Sequence, residues 1–209
     1  MIDDRVLALM EISNDLLYSK IPRKKLSYYA DRSLSAGREA ASQYLGKDIL
    51  KLYRENGITI RYCDKAPGLY GVVLRGQAVM GKDECRVELY RDSIVELARH
   101  SGGRESAPLT AEEAERVHLA HEFYHFLEYK EGRTISEKLD RVVIMKAFRW
   151  QRTACVNRCS EAAAHSFAKT LLNLPCLPNL YDYCYLMGTG KLKPSDFEAF
   201  TARMGALLA

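Results

Sequence analysis

Apolar residues recur at helical spacing near both ends of this chain and at strand spacing in one stretch between them. In residues 1–20, Val6, Leu7, Met10, Leu16 and Leu17 fall loosely three to four apart until Pro22 interrupts. From about Ser35 to Asn56 a second helical stripe carries Ala40, Tyr44, Leu45, Ile49, Leu50 and Leu52, and Gly57 is a natural C-terminal cap. The period then drops to two. In "ITIRYCD", Ile58, Ile60 and Tyr62 alternate with Thr59, Arg61 and Cys63, the pattern of a half-buried strand. "LYGVVLRG" (69–76) and "CRVELYRD" (85–92) predict two more strands, with Gly71 and Gly76 as breaks, so a small sheet is expected within 58–91. "SIVELARH" predicts a short helix and "SGGRESAP" a loop.

The next helix announces its own start. Thr110 with Glu113 three residues on makes a capping box, and no proline or glycine follows before Gly132. Residues 135–149 and 151–173 then predict two further helices, or one bent one, stopped by Pro175. Beyond Leu177, Gly188, Gly190 and Pro194 separate "LYDYCYLM" from a last helix, "SDFEAFTARMGALLA". The expected class is α+β, mostly helical, with a small three-stranded sheet preceding the helix after Thr110. The expected organisation is a helical N-terminal extension (1–34), a main domain (35–176) and a C-terminal helical segment (177–209) packing on it.

Length and composition narrow the function classes. The 209 residues, 47% apolar and 28% charged, suit one globular domain able to bury a core. A net charge of +4 is too small to imply nucleic acid, and the densest basic cluster, Arg23-Lys24-Lys25, is the length of a solvated helix end. Direct nucleic-acid binding is therefore not expected. No apolar run approaches the 18 or so residues of a membrane span, and the start, "MIDDRVLALM", lacks the basic region of a secretory signal. The expected location is the cytoplasm, where the six scattered cysteines would be mostly buried thiols.

Chemistry concentrates in "HEFYH", residues 121–125. On a helix, residues four apart point the same way one turn later. His121 and His125 can thus offer two imidazole nitrogens to one tetrahedral ion, at about 2.0–2.1 Å each. Glu122 stands off the ligand line, where its carboxylate can take a proton from water rather than bind the metal. A hydrolytic zinc needs a third protein ligand and an open position. "FLEYKEGR" after His125 has no glycine and histidine in register for one common extension. Glu161, among the alanines of "CSEAAAHSFAKTLL", is a candidate third ligand; the plainer alternative is a glutamate on an exposed face. Cys155 and Cys159 read as core thiols, and Tyr181, Tyr183 and Tyr185 as packing residues, one of which could also serve a developing oxyanion.

Two segments together, "RVHLAHEFYHFL" and "EAAAHSFAKTLLNLP", resemble the paired motifs of the ImmA/IrrE family of zinc metallo-endopeptidases. Aligned on Phe167-Ala168 and Leu171-Leu172, Glu161 falls on that family's third zinc ligand and Ala164 on its fixed alanine. The order of a helix, "NGITIRYCDKAPGLYGVVLRG" and a strand pair before the histidine helix is also similar, so the resemblance spans roughly residues 40–175. It implies a zincin-like metallopeptidase domain with Zn2+ held by His121, His125 and Glu161, and Glu122 as general base. The implied substrate is a protein or peptide, often a helix-turn-helix repressor in the family. No such module is legible in residues 1–34, so a repressor would be met as a separate chain. Three positions depart from the pattern. Tyr124 stands where glycine is usual, His118 replaces Thr or Ser, and His165 replaces the Asn or Asp that holds a ligand by hydrogen bond. These departures keep a second reading open: a non-catalytic regulatory binding module with a structural or degenerate zinc site, reached if His165 also takes the ion.

Overall fold

The computed structural model describes residues 2–64, 74–103, 107–148 and 150–209, and in them helices dominate two small sheets, a mixed and mostly helical α+β fold. Helix α1 (Asp4–Ile12) begins on Asp3, whose side chain accepts from the Arg5 amide, and it buries Leu7, Leu9, Met10 and Ile12 completely. The stripe over 35–56 divides in two, α2 (Leu26–Ser42) and α3 (Ile49–Glu55). Both helices pack on one core, so the apolar spacing runs on across the break. The break itself is marked by Gly46 at φ 75° and by Asp48, which accepts from the Lys51 amide at 3.0 Å as the cap of α3.

Strand β1 (Ile58–Cys63) pairs in parallel with β3 (Cys85–Tyr90), and β2 (Gly76–Met80) pairs antiparallel on the other side of β3. Three strands therefore precede the long helix, but the middle one lies after the predicted stretch 69–76. Residues 69–73 of that stretch lie outside the described residues, and Gly76 opens a strand rather than breaking one. Helix α4 (Arg91–His100) leads to α5 (Ala111–Glu131), which carries both halves of the Thr110–Glu113 capping box and ends on Gly132 at φ 74°.

The larger departure follows α5. Residues 139–148 are not helical. One turn, α6 (Ile135–Lys138), gives way to a hairpin of β4 (Val142–Ala147) and β5 (Trp150–Ala154), and α7 (Arg158–Leu172) starts seven residues later than its predicted start at 151. The run Val142-Val143-Ile144 is β-branched, which costs χ1 freedom on a helix and suits a pleated strand. Helices α8 (Asn179–Gly188) and α9 (Pro194–Leu208) complete the chain. Among the described residues no helix is long and apolar enough to cross a membrane.

Phe123 of α5 is the centre of the core, with the rings of Tyr44, Tyr53, Phe126 and Phe167 at 5.5, 5.9, 5.8 and 6.1 Å. The Tyr53 hydroxyl donates to the Leu119 carbonyl at 2.9 Å and ties α3 to α5. Alanines 162–164 are fully buried, and α2 closes on α7 at Gly37, where a Cβ would lie 2.2 Å from the Ala163 carbonyl oxygen. Only glycine fits that crossing. Ser166 seals it by donating to the Leu34 carbonyl at 2.8 Å. This packing fixes α5 against α7, and those two helices carry the candidate site.

Candidate metal centre

His121 and His125 project from one face of α5 toward Glu161 in the first turn of α7. His121 Nε2 lies 3.2 Å from Glu161 Oε2 and 3.2 Å from His125 Nε2, and His125 Nε2 lies 3.7 Å from Glu161 Oε1. One donor atom from each residue falls within 4.8 Å of the others, a spacing at which the three could hold one metal ion. The three residues proposed from sequence are thus brought together by two helices 40 positions apart in register.

Helix α7 reaches this position with borrowed caps. Asn157 makes no side-chain cap of its own. The Arg158 amide instead donates to Asp15 at 3.0 Å, and the Ser160 amide donates to the Ser136 hydroxyl at 3.1 Å. The exposed amides of that first turn also favour an anion, which suits the Glu161 carboxylate.

Glu128 is the functional neighbour that the sequence reading passed over. Its buried carboxylate accepts from the Ile135 amide at 2.7 Å and from the Ser160 hydroxyl, and lies 3.2 Å from His125 Nδ1. A carboxylate at Nδ1 sets the tautomer that leaves Nε2 bare for an ion. The available signal was position: Glu128 is three residues after His125, on the same helical face.

Charges in the site are strongly coupled. Burial alone would depress the His125 pKa, but hydrogen bonds to Glu128 and Glu161 outweigh it and raise the value to about 10. Burial pushes Glu161 upward, and its hydrogen bonds to His121 and His125 win, holding its carboxyl well below the usual range. In the metal-free protein at neutral pH His125 thus keeps its proton, paired with Glu128 and Glu161.

A cavity of about 290 Å³ opens beside the cluster, with Glu122, His118, His121, His165, Glu11 and Arg75 in its walls. Glu122 makes no contact with the three donors; a Cβ on Gly76 at the start of β2 would lie 3.7 Å from its Oε1. The general-base candidate therefore faces the open side, under the outer strand of the sheet.

Comparison with family models, with curated proteins and with solved structures gives no match.

The three departures take definite positions. Tyr124 is buried against Phe167 at 5.7 Å, behind the site, and lines neither cavity beside the cluster. It fills the α5–α7 interface and does not narrow the cleft. His118 donates from Nδ1 to the Ala114 carbonyl at 2.7 Å; burial holds its pKa down at about 4, so it is neutral with Nε2 free as an acceptor. His165 stacks on His121 at 4.7 Å, and burial keeps it neutral too. Its Nε2 is 4.0 Å from Glu11 and its Nδ1 has no hydrogen-bond partner, so it holds no ligand by hydrogen bond. That work falls to Glu128. Glu11 reaches the cavity from α1, paired with Arg158 at 3.0 Å, so the N-terminal helix contributes to the site wall. Of the tyrosines after α7, Tyr181 is buried with its hydroxyl on Cys176, Tyr183 packs on Phe197, and Tyr185 stacks under Arg75.

Proposed function

We propose that this chain is a zinc-dependent endopeptidase with a zincin-like catalytic domain of the ImmA/IrrE type, acting on protein or peptide substrates in the cytoplasm. The observation that carries the reading is the convergence of His121 Nε2, His125 Nε2 and a Glu161 oxygen, with Glu122 standing apart on the cavity side. The donor set fits zinc: two imidazoles, one of them oriented by Glu128, and one carboxylate. His165 is not part of the set, which supports three protein ligands over four. A structural centre with a fourth ligand, the non-catalytic alternative, has only the unpartnered Nδ1 of His165 in its favour.

Zinc bound here would supply Lewis acidity, lowering the pKa of water from 15.7 towards about 7 and polarising the scissile carbonyl. The residues do the rest. Glu122 accepts the proton of the attacking water and returns one to the leaving amine. Glu128 keeps the His125 ring in place. Among the described residues β2 is an edge strand, and its backbone beside Glu122 would suit pairing with an extended chain. A helix-turn-helix repressor as substrate rests on the family resemblance alone.

The test is Glu122→Gln. The variant should retain wild-type zinc stoichiometry, measured by elemental analysis, and lose cleavage of labelled casein by a factor of about 10²–10⁴. A zinc-loaded variant that cleaves at the wild-type rate would remove Glu122 from the role.

A further inference from the structure

The β4–β5 hairpin takes no part in the chemistry just described, and its surface is unlike the rest of the chain. Of 31 basic and 27 acidic side chains, five basic and no acidic ones lie in residues 141–158, which leaves 26 against 27 elsewhere. The segment is thus one of the basic stretches of the chain, alongside Lys20 to Lys25. Strand register places Met145 opposite Arg152 and Ala147 opposite Trp150, so these four share one face. Met145 is 51% exposed, Trp150 is 68% exposed, and Phe148 at the tip is wholly exposed. Lys146 and Arg152 are exposed and have no acidic partner among the described residues. Arg152 stands on the face of Met145 and Trp150, and Lys146, opposite Gln151, on the other face of the ribbon; large apolar side chains beside unpaired cations mark an interaction surface.

The hairpin is also continuous with the candidate active site. Its base, at Arg141, Ala154 and Cys155, walls a groove of about 960 Å³. That groove shares Arg158 with the cavity beside the triad, and shares Asn157 with a third hollow of about 560 Å³ that touches Glu161. A chain lying across the triad can thus run on to the hairpin without leaving the surface depression.

We infer that the β4–β5 hairpin docks an acidic segment of the protein substrate, one that carries apolar side chains, outside the stretch that is cut. The inference rests on the peptidase reading for the word substrate, and on the hairpin itself for the chemistry of the partner. The hairpin is a ribbon two strands wide, which argues for a narrow occupant such as a peptide segment.

Trp150 is the one tryptophan of the chain, so its emission reports on the hairpin in the intact protein. The probe is a short synthetic peptide alternating glutamate with leucine, titrated at low salt. Emission should shift to the blue and saturate, and added salt should weaken the binding. Joint Lys146→Glu and Arg152→Glu substitution should weaken it by on the order of tenfold, while Lys146→Arg with Arg152→Lys should preserve it. A lysine–leucine peptide should leave the emission unchanged. The inference is overturned if neither peptide shifts Trp150, if the charge-reversed variant binds as well as the wild type, or if phosphatidylserine vesicles or oligothymidine bind more tightly than the glutamate peptide. The readout involves neither zinc nor hydrolysis. Its failure would leave the peptidase reading intact, and failure of that reading would leave a docking surface for an acidic partner.

Discussion

Phe123 and Phe148 are the same residue type in opposite circumstances. Phe123 is fully buried where α5 meets α3 and α7, ringed by four aromatic neighbours, and Phe148 is wholly exposed at the tip of the β4–β5 hairpin. Around Phe123, polar groups of neighbouring helices bond within the fold. Tyr53 bonds Leu119, Ser166 bonds Leu34, and Glu128 takes three partners. The hairpin leaves its apolar and cationic groups to the solvent. A donor set that must converge within a few tenths of an ångström is built where packing permits one arrangement. A surface that meets a partner is built where groups remain free to be covered.

The hardest way to break this contrast is to empty the rigid region. Phe123→Ala should destabilise the fold by about 3–5 kcal/mol, because the cavity opens among Tyr44, Tyr53, Phe126 and Phe167 with no nearby side chain free to collapse into it. Denaturant unfolding of the metal-free chain would check it. A cost under about 1 kcal/mol would mean that the α5–α7 interface is not the rigid frame of the site.

A smaller perturbation tests the polar frame. Glu128→Gln should leave the helices in place and lower zinc affinity by about 10–100-fold, since an amide orients His125 less firmly than a carboxylate. The proton inventory gives an independent measure. Hydrogen bonds to Glu128 and Glu161 raise the His125 pKa to about 10 against the downward pull of burial, so metal-free protein at pH 7 carries that proton and zinc must displace it. Zinc affinity should therefore climb as pH rises from 7 towards 10. The stabilising share of His125 in the metal-free fold has the opposite trend: it is full below about 6.5, the ordinary histidine value, and is lost as pH rises through about 10. Calorimetry of zinc binding in buffers of different ionisation enthalpy should count proton release at pH 7. Zero protons released would show that His125 is already neutral and that Glu128 does not govern it.

The same contrast explains what was legible in the sequence. The α5 site could be read because its determinants are local: the Thr110–Glu113 box fixes the helix, and the i, i+4 spacing fixes His121 against His125. Glu161 needed a resemblance to be selected, because nothing near it reveals which face of α7 meets α5. That face is set by Ala163 and Ser166 packing against Gly37 and Leu34 of α2, far away in sequence. The start of α7 was misplaced for a related reason. Its caps, Asp15 and Ser136, come from 143 and 24 residues away, and no local pattern encodes them. The hairpin resembles a helix to a periodicity reading because Val142 to Met145 form an unbroken apolar run, which spacing alone assigns to neither helix nor strand. Its β-branched Val142-Val143-Ile144 run was the signal that should have prevailed. The α2–α3 break was missed although Gly46 and Asp48 spell it, because an unbroken apolar stripe outweighed two turn residues.

The smallest expected effect is the most discriminating, because its sign differs between the two regions. Phe148 holds φ 52°, in the left-handed region that asparagine tolerates and a bulky aromatic residue does not. Its side chain buries nothing in the isolated chain, so no packing offsets that strain. Phe148→Asn should therefore leave stability unchanged or raise it by up to about 1 kcal/mol, where truncating Phe123 costs several. If Phe148→Asn instead destabilises the protein by more than about 1 kcal/mol, and does so more strongly at higher protein concentration, the hairpin tip is covered in solution by a second copy of the chain. A neutral or stabilising result, combined with weaker docking of the glutamate–leucine peptide, would mean that the aromatic residue is kept at an unfavourable backbone position for the partner and not for the fold.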